Sequence, residues 1–176
     1  MGDLLVSLYA PGFKSLVQRT ERADLTIRPV LAPERHIVLA WIEQHFSQTW
    51  ASEAAVAIGH QPSSCLIAIS EGELVGFACY DAIARGFFGP TGVAEARRGQ
   101  GIGAALLRQT LLAMKNTGYA YSIIGDAGPA RFYMDLVGAI EIPVPGKGIY
   151  ADMLRTPKPA AVTQVPSRIK TATSNT

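Results

Sequence analysis

The stretch 97-RRGQGIGAALL-107 sets glycines at every second position, Gly99, Gly101 and Gly103, behind two arginines. It then runs straight into an apolar segment of helical composition. A helix N-terminus leaves several backbone N–H groups without partners, and its dipole adds partial positive charge. Glycines ahead of it let the backbone turn tightly and approach a ligand without Cβ clashes. The stretch therefore predicts an anion site, with a phosphate or pyrophosphate as the natural guest. The alternative is a surface turn that uses its glycines only for geometry.

The segments around this turn alternate between helical and extended patterns. Residues 25–30 read as a short strand ended by Pro29. Ile37, Val38, Trp41, Ile42 and Phe46 recur at helical spacing, and Ser47 caps a second short helix from Trp50 to Ile58. Cys65–Ile69 and Leu74–Asp81 form a hairpin about Glu71-Gly72. Phe87–Val93 is a third strand, and Gly89-Pro90 marks a bulge or splay in it. A helix over 101–115, a strand over 119–124 and a short helix over 129–137 follow. Residues 140–142 and 149–154 read as the last two strands. This order predicts a mixed α/β (α+β) domain over residues 1–155. The Pro, Ala, Thr, Ser and Lys of residues 156–176 predict a disordered tail.

The bulk properties exclude several classes. In 176 residues, 48% are hydrophobic and 17% charged, which provides for one sizeable core. A net charge of +2 with no basic run argues against nucleic acid. No apolar run reaches membrane-spanning length, and no signal-peptide pattern opens the chain. No metal site is expected. A two-residue hairpin turn would pair Ser70 with Glu73, setting Cys65 opposite Ala78 and Cys79 opposite Ser64. That register puts the two thiols on opposite faces, unable to bond. A reduced, cytoplasmic setting is the expectation.

Among phosphate loops, a Walker-type loop needs Gly-Lys-Ser/Thr, and Gly103-Ala104-Ala105 lacks it. Gly99, Gly101 and Ala104 satisfy the dinucleotide pattern G-x-G-x-x-A, with Asp126 ending the next strand. Against that pattern, Ala94–Arg98 separate strand from glycine, and little sequence follows to complete a doubly wound sheet.

Val93 followed by Arg98-Gly99-Gln100-Gly101-Ile102-Gly103 resembles the acyl-CoA loop of the GNAT N-acetyltransferase superfamily, Gln/Arg-x-x-Gly-x-Gly/Ala after a strand ending in Val. Asp126, Phe132-Tyr133 and Gly138-Ala139 resemble its downstream helix, and the element order matches from about residue 25 to 154. The resemblance implies a GNAT-like fold: a mostly antiparallel sheet with a splayed strand pair and flanking helices. It implies acetyl-CoA as co-substrate and transfer to the amine of a small-molecule acceptor in a direct ternary complex. Many relatives are dimers, so a homodimer is a further implication.

The resemblance also distributes roles. The loop from Arg98 through Gly99, Gln100, Gly101, Ile102, Gly103 and Ala104 would hold the pyrophosphate. The backbone of Thr91, Gly92 and Val93 would bind the pantetheine arm and acetyl group. Tyr133 would protonate the departing thiolate. Asp126 stands where the family has Asn, and an ionised carboxylate cannot donate the amide's hydrogen bonds. No carboxylate lies on Phe87–Val93, so the general base is open between Glu53, Asp81 and His45. Glu53 lies three residues after Trp50, on the same face of a helix, where ring and carboxylate suit a cationic amine. An NAD(P)-binding oxidoreductase and a non-catalytic acyl-CoA-binding module remain the rival readings.

Overall fold

The computed structural model describes residues 2–18, 24–143 and 148–154. The chain divides into two compact units, Met1–Pro145 and Gly146–Thr176. The tail expected over residues 156–176 lies outside the described residues.

The first unit is built on a seven-stranded sheet of β1 (Leu4–Ser7), β2 (Thr26–Pro29), β3 (Cys65–Ser70), β4 (Glu73–Tyr80), β5 (Phe87–Val93), β6 (Tyr121–Ile124) and β7 (Ile140–Glu141). Their spatial order is β2-β3-β4-β5-β6-β1-β7. Every neighbouring pair is antiparallel except β5 with β6. The mixed, mostly antiparallel α/β architecture agrees with the sequence. It also disposes of the dinucleotide reading, because a doubly wound fold needs a mostly parallel sheet.

Helices cover both faces. The helices are α1 (Pro11–Val17), α2 (Arg35–His45), α3 (Gln48–Gly59), α4 (Ile102–Asn116) and α5 (Ala130–Val137). Alternate residues of the central strands feed two separate cores. Leu66, Ala68, Ala78 and Tyr80 join one with Leu106, Leu107, Leu111 and Met114 of α4. Cys65, Ile67, Phe77 and Cys79 join the other with Val38 and Ile42 of α2 and Ala54 and Ala57 of α3. Two helix ends are capped as their residue types suggest, while α3 runs through Gly59 and ends on His60. Ser47 Oγ accepts from Trp50 N–H at 3.1 Å to start α3, and Gly138 ends α5 in the left-handed conformation.

The sequence reading passed over β1 and α1. Their signal was present: Leu4, Val6 and Leu8 alternate and are all buried, and Pro11 opens α1. β1 pairs with β6 on one side and β7 on the other. The facing edges of β6 and β7 are thereby filled. The strand expected over 149–154 is instead a single 3-10 turn, Gly148–Tyr150, within the second unit.

The hairpin register also differs. Ser70 pairs with Glu73 as expected, but a bulge shifts the ladder between Ala68 and Ile69. One extra residue of β4 is absorbed there, so Cys65 sits directly opposite Cys79 rather than Ala78. The two thiols therefore share one face, and both are free and buried. A bulge of this kind carries no marker in residue types, because Val75 suits a regular strand equally well.

The N-terminal helix meets α5 at close quarters. A Cβ added at Gly12 would lie 2.7 Å from both the carbonyl carbon and the oxygen of Val137. Those are backbone atoms and cannot rotate away. Gly12→Ala is therefore expected to destabilise the fold by about 1–3 kcal/mol through overpacking. Gly59→Ala, where an added Cβ meets nothing within 4 Å, is the control and should be close to neutral. Urea unfolding of the two variants measures the difference.

Candidate functional site

The site begins where the sheet comes apart. β5 pairs with β6 only at Phe87–Ile123 and Phe88–Ile124, although it continues to Val93. Beyond Phe88 it stays paired with β4 alone, and the register shifts at Gly89-Pro90. The sequence expectation of a splay at those two residues is met. The free edge can be assigned from the ladder. Ala94 N–H donates to Val75 O at 2.9 Å, which makes that a hydrogen-bonded pair. Antiparallel pairs alternate, so the N–H and C=O groups of Thr91 and Val93 point away from β4, toward the opening.

A cleft of about 550 Å³ occupies this opening. It is lined by Phe88 and Thr91–Val93 of β5, by the turn before α4, by the first turns of α4, and by Pro129, Phe132 and Tyr133. Phe46 and Trp50, from the junction of α2 and α3, complete it.

The glycine turn behaves as its composition requires. Gly99 and Gly101 hold φ of +75° and +79°, a region that L side chains rarely adopt. Gly101 caps α4, and the first helical bond runs from Ala105 N–H to Gly101 O. Helix geometry leaves the N–H groups of Ile102, Gly103 and Ala104 without intrahelical acceptors. Ile102, Gly103 and Ala104 all line the cleft. The same helix buries Ile102, Leu106, Leu107 and Leu111, so its N-terminus is held by the core. Arg97 and Arg98 add positive charge at this end. Arg98 Nε donates to Val93 O at 3.3 Å, while Arg97 pairs with Glu71 at 3.2 Å.

Tyr133 lies in the wall formed by α5. The residue is only 5% exposed yet lines the cleft. Its ring meets Phe132 edge-on at 5.1 Å and Phe88 at 6.2 Å. Its hydroxyl has no hydrogen-bond partner among the described residues. Burial pushes its pKa up to about 12, so the phenol stays neutral across the physiological range.

The structure separates the other sequence candidates. Thr91, Gly92, Val93, Arg98, Gly99, Gly101, Ile102, Gly103 and Ala104 are gathered on the cleft with Tyr133 and Trp50. Gln100 and Asp126 are not among its lining residues. Asp126 is exposed at φ +43°, and its N–H donates to Asp3 Oδ1. Asp81 is taken up structurally: it accepts from Gly86 N–H at 2.7 Å and from the Tyr119 hydroxyl at 2.8 Å. His45 is exposed, stacked on Trp41 at 4.4 Å, with Nδ1 2.9 Å from Trp41 O.

Glu53 also lies off the cleft lining, one helical turn beyond Trp50. It is half-buried and makes no hydrogen bond or ion pair among the described residues. Burial raises its pKa above the ordinary carboxylate value. Phe46, Phe88 and Phe132 were missed as lining residues, because ring spacing in sequence reads as core packing. Arg97 adjoins Arg98 in the quoted stretch, and only the fold shows both facing the same cleft.

The sequence within this fold matches a known family. Over residues 30–134, more than half its length, the sequence matches the acetyltransferase (GNAT) family, and the chain belongs to that family. No curated protein matches it significantly in sequence. Among solved structures, the GCN5-related glucosamine N-acetyltransferase region of a fungal multi-domain GH3 beta-N-acetylglucosaminidase superposes with a TM-score of 0.61. The identity is 14%, over 80% of this chain and 19% of that one. The GCN5-related N-acetyltransferase from Sphaerobacter thermophilus gives 0.60 at 19% identity, over 80% of this chain and 48% of that one. Its counterpart from Kribbella flavida gives 0.55 at 22% identity, over 80% and 53%. The chain thus spans about half, or less, of the length of these relatives, and the likeness is one of fold. Among the described residues, no helix is long and apolar enough to cross a membrane.

Proposed function

We propose that the chain transfers an acetyl group from acetyl-CoA to the amine of a small-molecule acceptor, with both substrates in the cleft at once. The observation that carries this reading is a juxtaposition. A buried phenol with no partner among the described residues, Tyr133, shares one cleft with the open N-terminus of α4 and the edge of Thr91 and Val93 that β6 leaves uncovered. A pyrophosphate suits the α4 amides and the Arg98 guanidinium. The Thr91 and Val93 backbone offers amide-type hydrogen bonds to a pantetheine arm. Tyr133 is then available to the sulfur.

The chemistry follows from those positions. The neutral amine attacks the acetyl carbonyl; the new C–N bond forms, and the C–S bond breaks. Tyr133 donates its proton to the departing thiolate. With its pKa near 12, the phenol keeps that proton until negative charge develops on sulfur. Holding both reactants in one cleft supplies much of the rate. No covalent acyl-enzyme is required, so Cys65 and Cys79 have no part in the reaction. Glu53 lies off the cleft lining, so it is the candidate to take the amine's proton through a relay: its pKa is raised, it has no partner among the described residues, and it shares α3 with Trp50.

Gly103→Asp tests the pyrophosphate site. An added Cβ there makes only ordinary contacts, 3.8 Å to Phe132 and Val93, so the fold is expected to survive. The new carboxylate should abolish acetyl-CoA binding by calorimetry. Gly101→Asp is the poorer test, because φ of +79° adds strain of its own. Unchanged affinity in the folded Gly103→Asp protein overturns the assignment.

Tyr133→Phe keeps the ring and removes the hydroxyl. It should lower kcat by about 10²-fold or more with little change in acetyl-CoA affinity. In the wild type, activity should not fall through pH 10, where an ordinary phenol ionises, because burial holds the Tyr133 proton to about pH 12. Wild-type turnover in the Phe variant would leave Tyr133 a packing residue.

Glu53→Gln should lower kcat or raise the acceptor's KM while acetyl-CoA affinity holds. A base must be deprotonated, so its raised pKa places the acid limb of the kcat profile above the ordinary carboxylate range. The Gln variant should lose that limb. Steady-state parameters and a pH profile matching the wild type would put Glu53 outside the reaction.

A further inference from the structure

The lining of the cleft combines two kinds of chemistry. Its charged residues are Arg97 and Arg98, both at the glycine turn. Phe46 and Trp50 form an aromatic wall, stacked with centroids 5.1 Å apart at 26°. Both rings rest on the buried Phe77, at 5.7 and 6.2 Å, and both remain half-buried rather than lost in the core. Their other surfaces face the cleft.

This wall stands beside the reacting position. A Cβ added at Gly92 would fall 2.4 Å from Phe46 Cζ, so the ring sits directly on the β5 backbone. Gly92 lies between Thr91 and Val93, whose backbone groups face the opening. An acceptor that meets an acyl group held along that edge has Phe46 and Trp50 on the lining beside it.

The wall offers little else to bind. The Thr91 hydroxyl is already committed to Phe77 O at 3.0 Å. Among the described residues that line the cleft, none is Asp, Glu, Asn, Gln or His. A sugar would bury hydroxyls without partners. A polyamine would find the cation Arg98 and no carboxylate on the lining, the Glu71 carboxylate beside it being already paired with Arg97. What remains is stacking on the rings, together with the attraction of their faces for an ammonium group.

We propose that Phe46 and Trp50 form the acceptor subsite, and that the acceptor is a small aromatic amine whose ring stacks on them while its amino group reaches the Thr91–Val93 edge. The proposal rests on the acetyl-transfer reading above and specifies its acceptor. Gly92 is then a specificity determinant: lacking a Cβ, it lets Phe46 stand close enough to shape the wall.

The test is thiol release at saturating acetyl-CoA with four acceptors: 2-phenylethylamine, n-butylamine, spermidine and glucosamine. 2-Phenylethylamine is expected to exceed each of the others in kcat/KM by about tenfold or more, the scale of an aromatic stacking contribution. Trp50→Leu should raise its KM by about tenfold while acetyl-CoA affinity holds. Spermidine or glucosamine turned over as well as 2-phenylethylamine would overturn the aromatic acceptor and leave acetyl transfer standing. So would a preference for the aromatic amine that persists unchanged in both Trp50→Leu and Phe46→Leu. Failure of all four amines despite acetyl-CoA binding would overturn both readings. Should a variant not fold, as judged by circular dichroism, the wild-type ranking of the four acceptors decides.

Discussion

The separation of β5 from β6 after Phe88 is the constraint on which the rest of the site depends. A sheet that stayed paired to Val93 would have no cleft and no free backbone edge. Here two residue pairs hold the strands together, and the next five residues of β5 part from β6. The parting leaves Thr91 and Val93 paired with β4 alone, with their other backbone edge toward the opening. It also opens the space into which α4 points its N-terminus and α5 its tyrosine. Gly89 and Pro90 sit where the register shifts, which suits residues poorly fitted to a regular ladder.

Two kinds of chemistry meet on the lining of the cleft. Positive charge lies at the glycine turn, from Arg98 and the unpaired amides of α4, while Arg97 there is paired with Glu71. Aromatic rings make up much of the rest: Phe88, Phe132, Phe46, Trp50 and Tyr133, whose phenol burial holds neutral. Glu53 lies off this lining, where burial favours its protonated form.

The first seventeen residues precede the family-matched segment, yet they complete the sheet and brace the site. β1 fills the position between β6 and β7. α1 packs on α5 so closely that Gly12 has no room for a Cβ against Val137. Tyr133 stands one turn earlier on that same helix. The geometry of the proposed acid therefore depends on a segment far from it in sequence.

The glycine turn was legible from residues alone, because positive φ and helix capping are local properties that glycines mark directly. Gly99, Gly101 and the apolar face of α4 behave as their sequence indicates. The hairpin turn, the Ser47 cap and the interruption at Gly89-Pro90 were readable for the same reason. Tyr133 was found through resemblance to the family's downstream helix and not from its own surroundings. The tertiary structure decided what depends on non-local pairing. It placed β1 between strands more than a hundred residues later, and a bulge set Cys65 opposite Cys79. It engaged Asp81 with Gly86 and Tyr119, leaving it to hold a loop in place. It also set Phe46 beside Trp50 in the wall of a cleft. In a sequence, an aromatic at helical spacing signals only that one face of a helix is apolar. Whether that face meets another element or open space depends on where the sheet parts, and that is fixed by the register of strands distant in the chain.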